Sequence, residues 1–174
     1  MTATHNLQSS DEAPARQVSV LFCFSHQDAE LQQELADQLA VLSHAGTIVT
    51  WSHQEIAAGT DWRLAIEHQL DSAEIILLLL SKNFFGSRYC CEIEMTRALQ
   101  RAEDGQARVI PILLRPCDWQ NSPVGKLQIL PGVRPVVEWP VRDDAGWACA
   151  RYLLDTGCPE LRLRVRSSRY NSAA

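Results

Sequence analysis

The residue types best suited to chemistry are concentrated in one stretch, SRYCCEIEMTRALQ, from Ser87 to Gln100. It carries two acids, Glu92 and Glu94, beside two adjacent thiols, Cys90 and Cys91. Read as a helix, Cys91, Met95, Ala98 and Leu99 form an apolar inner stripe. Glu94, three after Cys91 and four before Ala98, falls on the same face. Glu92 groups instead with Arg88 and Thr96 on a polar flank. A carboxylate among core-facing positions is costly unless a partner or a task offsets the cost. Functional sites are one place where such an acid has a task, and perturbed acids cluster there. The structural alternative is an acceptor for the backbone of a neighbouring loop, tying the helix to its sheet.

Other chemistries find less support in the sequence. Ser25-His26-Gln27-Asp28 holds the residue types of a nucleophilic triad, but neighbours in one loop do not make relay geometry. Ser25 and Asp28 read more simply as a helix-start signal, with Asp28 at the positive end of the helix dipole. The sequence has no G-x-G-x-x-G after its first strand, no phosphate loop and no G-x-S-x-G elbow. Its five histidines show no metal spacing. Its six cysteines include no C-x-x-C pair, so free thiols are expected rather than a zinc site or a disulfide scaffold.

The elements that must position Glu94 follow from periodicity. Val18–Phe24, Thr47–Trp51, Glu74–Ser81 and Arg108–Leu114 are short apolar runs of strand length. Glu74–Ser81 is apolar at nearly every position, as a central parallel strand covered on both faces requires. Pro111 lacks a ladder donor and suits an edge or distorted position. Arg134–Trp139 is expected to be a fifth strand. Between the strands lie amphipathic stretches: Leu31, Leu35, Leu39 and Leu42 share one helical face, with Gly46 placed to end the helix. Thr60 or Asp61 caps a helix with Trp62, Ala65, Ile66 and Leu70 inward. A last helix spans Asp143–Asp155. Such alternation predicts an α/β fold, a flavodoxin-like three-layer sandwich with a central parallel sheet of about five strands. Ligands of such sheets bind beyond the carboxyl ends of the strands. There Ser25 to Asp28, Ser52 to Gly59 and Ser81 to Cys90 are expected to converge.

Composition sets the limits. The 174 residues suit one domain, and 46% hydrophobic with 21% charged residues is the balance of a soluble globular protein. A net charge of −5 argues against nucleic acid or an anionic membrane surface as partner. The longest apolar run, Ile75 to Leu80, is far shorter than the ~20 residues of a membrane helix. Residues 1–17 read as a disordered leader without signal-peptide features, 18–158 as the domain, and 159–174 as an arginine-rich tail or linker.

Four segments, in order, carry a family resemblance. SVLFCFSHQDAEL resembles the first box of Toll/interleukin-1 receptor (TIR) domains. WSHQEIAAGTDW resembles their second box, the BB loop, with Ala58 where proline is usual and Ser52-His53-Gln54 where an acidic–basic pair is common. SAEIILLLLSKNFFGSRYCCEIEMTRAL resembles the following strand and the S-x-W/Y-C-x-x-E segment, with one extra residue between its aromatic residue and one of its two glutamates. RVIPILLRPCDWQNSPVGKLQILP is similar to the next stretch of bacterial members.

The resemblance implies cleavage of the nicotinamide–ribose bond of NAD+, with NAD+ as substrate and no resident cofactor or metal. Glu94 would be the catalytic carboxylate. Phe24, Ser25 and His26 would line the pocket, with Tyr89 and Cys90 shaping its wall. Phe24 is alternatively plain core and His26 a surface residue. Trp62 either stacks on nicotinamide or anchors the second helix. The resemblance further implies self-association with other TIR domains as a homo-oligomer or filament. It also implies a sensor domain or subunit outside this chain, a cytoplasmic location and a role in bacterial antiphage defence. The rival expectation is a non-catalytic interaction module; deoxyribosyl transfer rests on fold analogy alone.

Overall fold

The structure, a computed structural model, describes residues 17–153. The expected leader and arginine-rich tail lie outside the described residues. Strand β1 is Val18–Cys23, followed by helix α1 (Ala29–His44) and β2 (Ile48–Trp51). Then come α2 (Trp62–Ser72), β3 (Ile75–Leu80), the short α3 (Lys82–Gly86) and a π-helical turn, Tyr89–Met95. Helix α4 (Thr96–Glu103), β4 (Arg108–Leu113) and α5 (Arg142–Tyr152) complete the described elements.

The four strands form one parallel sheet in the order β2-β1-β3-β4. Residues of β1 and β3 alternate between two cores, as period-two side chains must. Val18, Val20, Phe22, Ile75, Leu77 and Leu79 face the leucine stripe of α1 and Ala145 and Cys149 of α5. Leu21, Cys23, Ile76, Leu78 and Leu80 face Ile66 and Leu70 of α2, Phe84 of α3, and Met95 and Ala98. The three-layer α/β sandwich read from sequence is therefore present, and every residue of β3 is buried. Among the described residues no helix is long and apolar enough to cross a membrane.

The expected fifth strand is a correction. Val136–Glu138 forms one 3-10 turn instead, started after Pro135. The outer side of β4 is met by a single bridge: Leu130 N–H donates to the Pro111 carbonyl at 2.9 Å, and Leu113 N–H to the Leu130 carbonyl at 2.8 Å. Pro111 sits on this edge strand, its missing N–H compatible with the outermost position.

Candidate active site

The order β2-β1-β3 reverses direction at β1, and this places a crevice beyond the strand ends there. The three segments expected at the rim do converge on it, around a cavity of about 460 Å³. Phe24, Ser25 and His26 arrive from the end of β1, His53 and Ile56 to Thr60 from the β2–α2 loop, and Trp62 and Ile66 from α2. Ser87, Tyr89, Cys90 and Glu94 come from the segment after β3.

Each segment has its own local cause. The β2–α2 loop opens with a capping box in which Ser52 N–H donates to Glu55 Oε1 at 2.9 Å. This fixes His53, whose ring stacks on Phe24 at 4.3 Å between centroids. Phe24 is thus both buried and a wall of the cavity. His26 is exposed at the mouth. Gly59 takes φ +86°, which favours glycine, so the loop can double back before Asp61. Asp61 then caps α2 by accepting from the N–H groups of Arg63 and Leu64. Trp62 is not an inward anchor of that helix: it is 46% exposed and lies edge-on to Tyr89 at 4.8 Å.

The placement of Glu94 depends on the π turn. In the Tyr89–Met95 segment each turn is wider than α, and such turns absorb one additional residue. Ile93 projects to solvent at 41% exposure, while Thr96 Oγ1 donates to the Cys91 carbonyl at 3.2 Å. The wider turn corrects the α-helical phase: Cys90, not Cys91, is the more buried thiol. Glu94 nevertheless reaches the inner side, 3% exposed and lining the cavity. Glu92 lies outside and pairs with Arg88 at 3.2 Å.

No Lys or Arg lines this cavity. The polar groups next to the Glu94 carboxyl are the thiols of Cys90 and Cys23. Burial pushes its carboxyl up to about 7, and the two thiols hold it from rising further. Burial and the Glu94 charge together push Cys90 up to about 12 and Tyr89 up to about 12, so both stay protonated at neutral pH. His53 is lowered, first by burial and then by neighbouring His26. An acid poised near neutrality, in a cleft with room for a ribose and an aromatic ring, can meet developing positive charge or accept a proton.

The sequence reading passed over His53. Its signal was present, since it replaces an acidic residue common in the second box, but its stacking on Phe24 across 29 positions is a tertiary fact. Asp28 was also misread. Its side chain does not cap α1. It accepts from the Ser81 hydroxyl, from Asn83 Nδ2 at 3.2 Å and from Arg115 Nε at 2.8 Å, tying together the ends of β1, β3 and β4.

The family model described as TIR domain matches residues 20–140. An uncharacterized protein of Sinorhizobium fredii is 45% identical over 128 residues, covering 73% of this chain and 40% of that protein. The chain thus spans about two fifths of the length of that relative. Two solved structures resemble it. One is the TIR domain of the Toll-related receptor TRR-2 from Hydra magnipapillata, with TM-score 0.47 and 23% identity, covering 64% of this chain and 81% of that one. The other comprises the TIR domains of the activated Roq1 resistosome, which recognises the pathogen effector XopQ, with TM-score 0.49 and 18% identity, covering 87% and 81%.

Proposed function

This chain belongs to the TIR domain family, and from that premise we propose that it is an NAD+ glycohydrolase whose catalytic residue is Glu94. The observation that carries the reading is a buried carboxylate with no ion pair among the described residues, opening into a cavity of about 460 Å³ at the sheet's switch point. Ordinary glycosidases need two carboxyl groups because an acid must protonate the leaving oxygen. Nicotinamide in NAD+ is already cationic. When the bond from its ring nitrogen to C1′ breaks, the electron pair stays on nitrogen and the base leaves neutral. No general acid is required, and a single carboxylate suffices.

Glu94 stabilises the positive charge that appears on the ribose. Water then adds to C1′ and gives up a proton, which a carboxylate poised near 7 is matched to accept. Phe24, His53, Trp62 and Tyr89 offer aromatic faces for the pyridinium ring, and a neutral His53 avoids repelling its charge. Ser25 and Cys90 shape the remaining wall. The product is ADP-ribose or a cyclic form, according to which nucleophile reaches C1′.

Self-association with other TIR domains, as a homo-oligomer or filament, switches activity on. A sensor outside this chain supplies the trigger, and the setting is a cytoplasmic effector of bacterial antiphage defence. The test is nicotinamide release from NAD+ by concentrated protein, with a crowding agent or on beads to favour assembly. Glu94→Gln is expected to lower turnover by ~10²–10³-fold. Full turnover in Glu94→Gln would remove Glu94 from catalysis. Absence of turnover at every protein concentration would leave a docking module.

A further inference from the structure

The proposed substrate outgrows the cavity that holds Glu94. About 460 Å³ admits a nicotinamide and a ribose, but NAD+ continues into a diphosphate and a second nucleoside. The diphosphate carries two negative charges. Among the described residues no Lys or Arg lines the cavity to receive them, and Glu94 repels them across a poorly screened space. The diphosphate must therefore lie outside, one ribose away.

A second groove, of about 360 Å³, adjoins the cavity, and Trp62 and Tyr89 line both. This edge-to-face pair, 4.8 Å between centroids, forms the lip between the two spaces. An arginine of the groove flanks each side of the lip: Arg63 follows Trp62 in α2, and Arg88 precedes Tyr89 at the start of the π turn. The Arg63 guanidinium lies over the Trp62 ring at 5.2 Å, and among the described residues it makes no hydrogen bond or ion pair. Arg88 commits Nε and Nη2 to Glu92, at 3.2 and 3.3 Å, and retains the Nη1 donors. The remaining acid of the groove, Glu67, also lines the next hollow along, with Asp71 and Arg97. It therefore marks the end of the groove away from the lip.

We propose that this groove takes the diphosphate of NAD+, with Arg63 and Arg88 as the residues that make the site specific for the dinucleotide over its nicotinamide riboside half. A guanidinium suits the role because its planar donors pair with phosphate oxygens through two parallel bonds. The substrate crosses the lip, with nicotinamide and ribose on the Glu94 side and phosphates on the arginine side. Binding energy collected in the groove then holds C1′ at Glu94 without placing a cation beside the carboxylate.

The proposal rests on the NAD+ reading, so one measurement must address the diphosphate without catalysis. Calorimetry with ADP-ribose, which has the diphosphate but no nicotinamide, supplies it. Arg63→Gln and Arg88→Gln are each expected to weaken ADP-ribose binding about tenfold, and Arg63→Lys less than Arg63→Gln. In turnover, each glutamine variant should raise KM for NAD+ with kcat nearly unchanged. The preference for NAD+ over nicotinamide riboside, as a ratio of kcat/KM values, should fall about tenfold. General damage to folding or assembly would slow both substrates alike and leave that ratio where it was. ADP-ribose affinity indifferent to both arginines would overturn the proposal, as would an unchanged ratio, or a His26→Gln effect in place of theirs. Arginine-dependent ADP-ribose binding without NAD+ consumption would sink the enzymatic reading and leave the groove standing. Consumption that depends on Glu94 but on neither arginine would do the reverse.

Discussion

Asp28 and Glu94 are the two buried acids among the described residues, and the fold surrounds them in opposite ways. Asp28 closes one side of the sheet's rim with a full set of donors: the Ser81 hydroxyl, the Asn83 amide and the Arg115 guanidinium, the last at 2.8 Å. Glu94 opens into the cavity beside the thiols of Cys23 and Cys90, and among the described residues no ion pair ends on it. A carboxylate that serves to join strands arrives with its counter-charge, because breaking such a pair leaves an uncompensated buried charge. On the function proposed above, Glu94 is left under-compensated so that its charge remains available to a substrate, at the expense of stability.

Substitution should separate the two acids. Asp28→Ala is expected to destabilise the domain by about 3–5 kcal/mol, since it strands the groups that converge on it; chemical denaturation measures this, and a loss under ~1 kcal/mol would break the contrast. Glu94→Gln is expected to act in the opposite direction. Its folded carboxyl lies near 7, above the ordinary 4.5, so ionisation opposes folding: the penalty is absent below about pH 4.5 and complete above about pH 7. The glutamine variant should therefore gain up to about 3 kcal/mol at pH 8 and almost nothing at pH 4, read from melts at the two pH values. A gain at both, or at neither, would mean that burial does not perturb this acid.

A smaller effect concerns turnover. If ionised Glu94 is the working form, nicotinamide release should fall about tenfold for each pH unit below about 7, and Glu94→Gln should flatten the residual profile. The smallest effect belongs to Glu92. It is exposed and paired only with exposed Arg88. Glu92→Gln should leave both melting temperature and turnover where they were, because an exposed ion pair contributes little. Loss of turnover in Glu92→Gln would reassign the site to the outer face of the π turn.

Much of this was legible along the chain. The apolar run of β3, the leucine stripe of α1 and the strand–helix alternation determined a parallel sheet covered on both faces, because burial periodicity is a local property. The same alternation brought three loops to one rim. The α-helical count also put Glu94 rather than Glu92 inward, although the segment is a π turn and the count misplaced the neighbouring thiols. Tertiary structure alone decided the partners. Nothing local announces that Asp28 takes Arg115 across 87 positions, or that Phe24 stacks on His53. Nor does a pattern of strand-like residues at Arg134–Trp139 say that Leu130 will occupy the place beside β4. The π turn shows why: an α-helical count assigns a side chain to a face, but one inserted residue shifts that count. Here the widened turn has Cys90 and Met95 held in the core near its two ends.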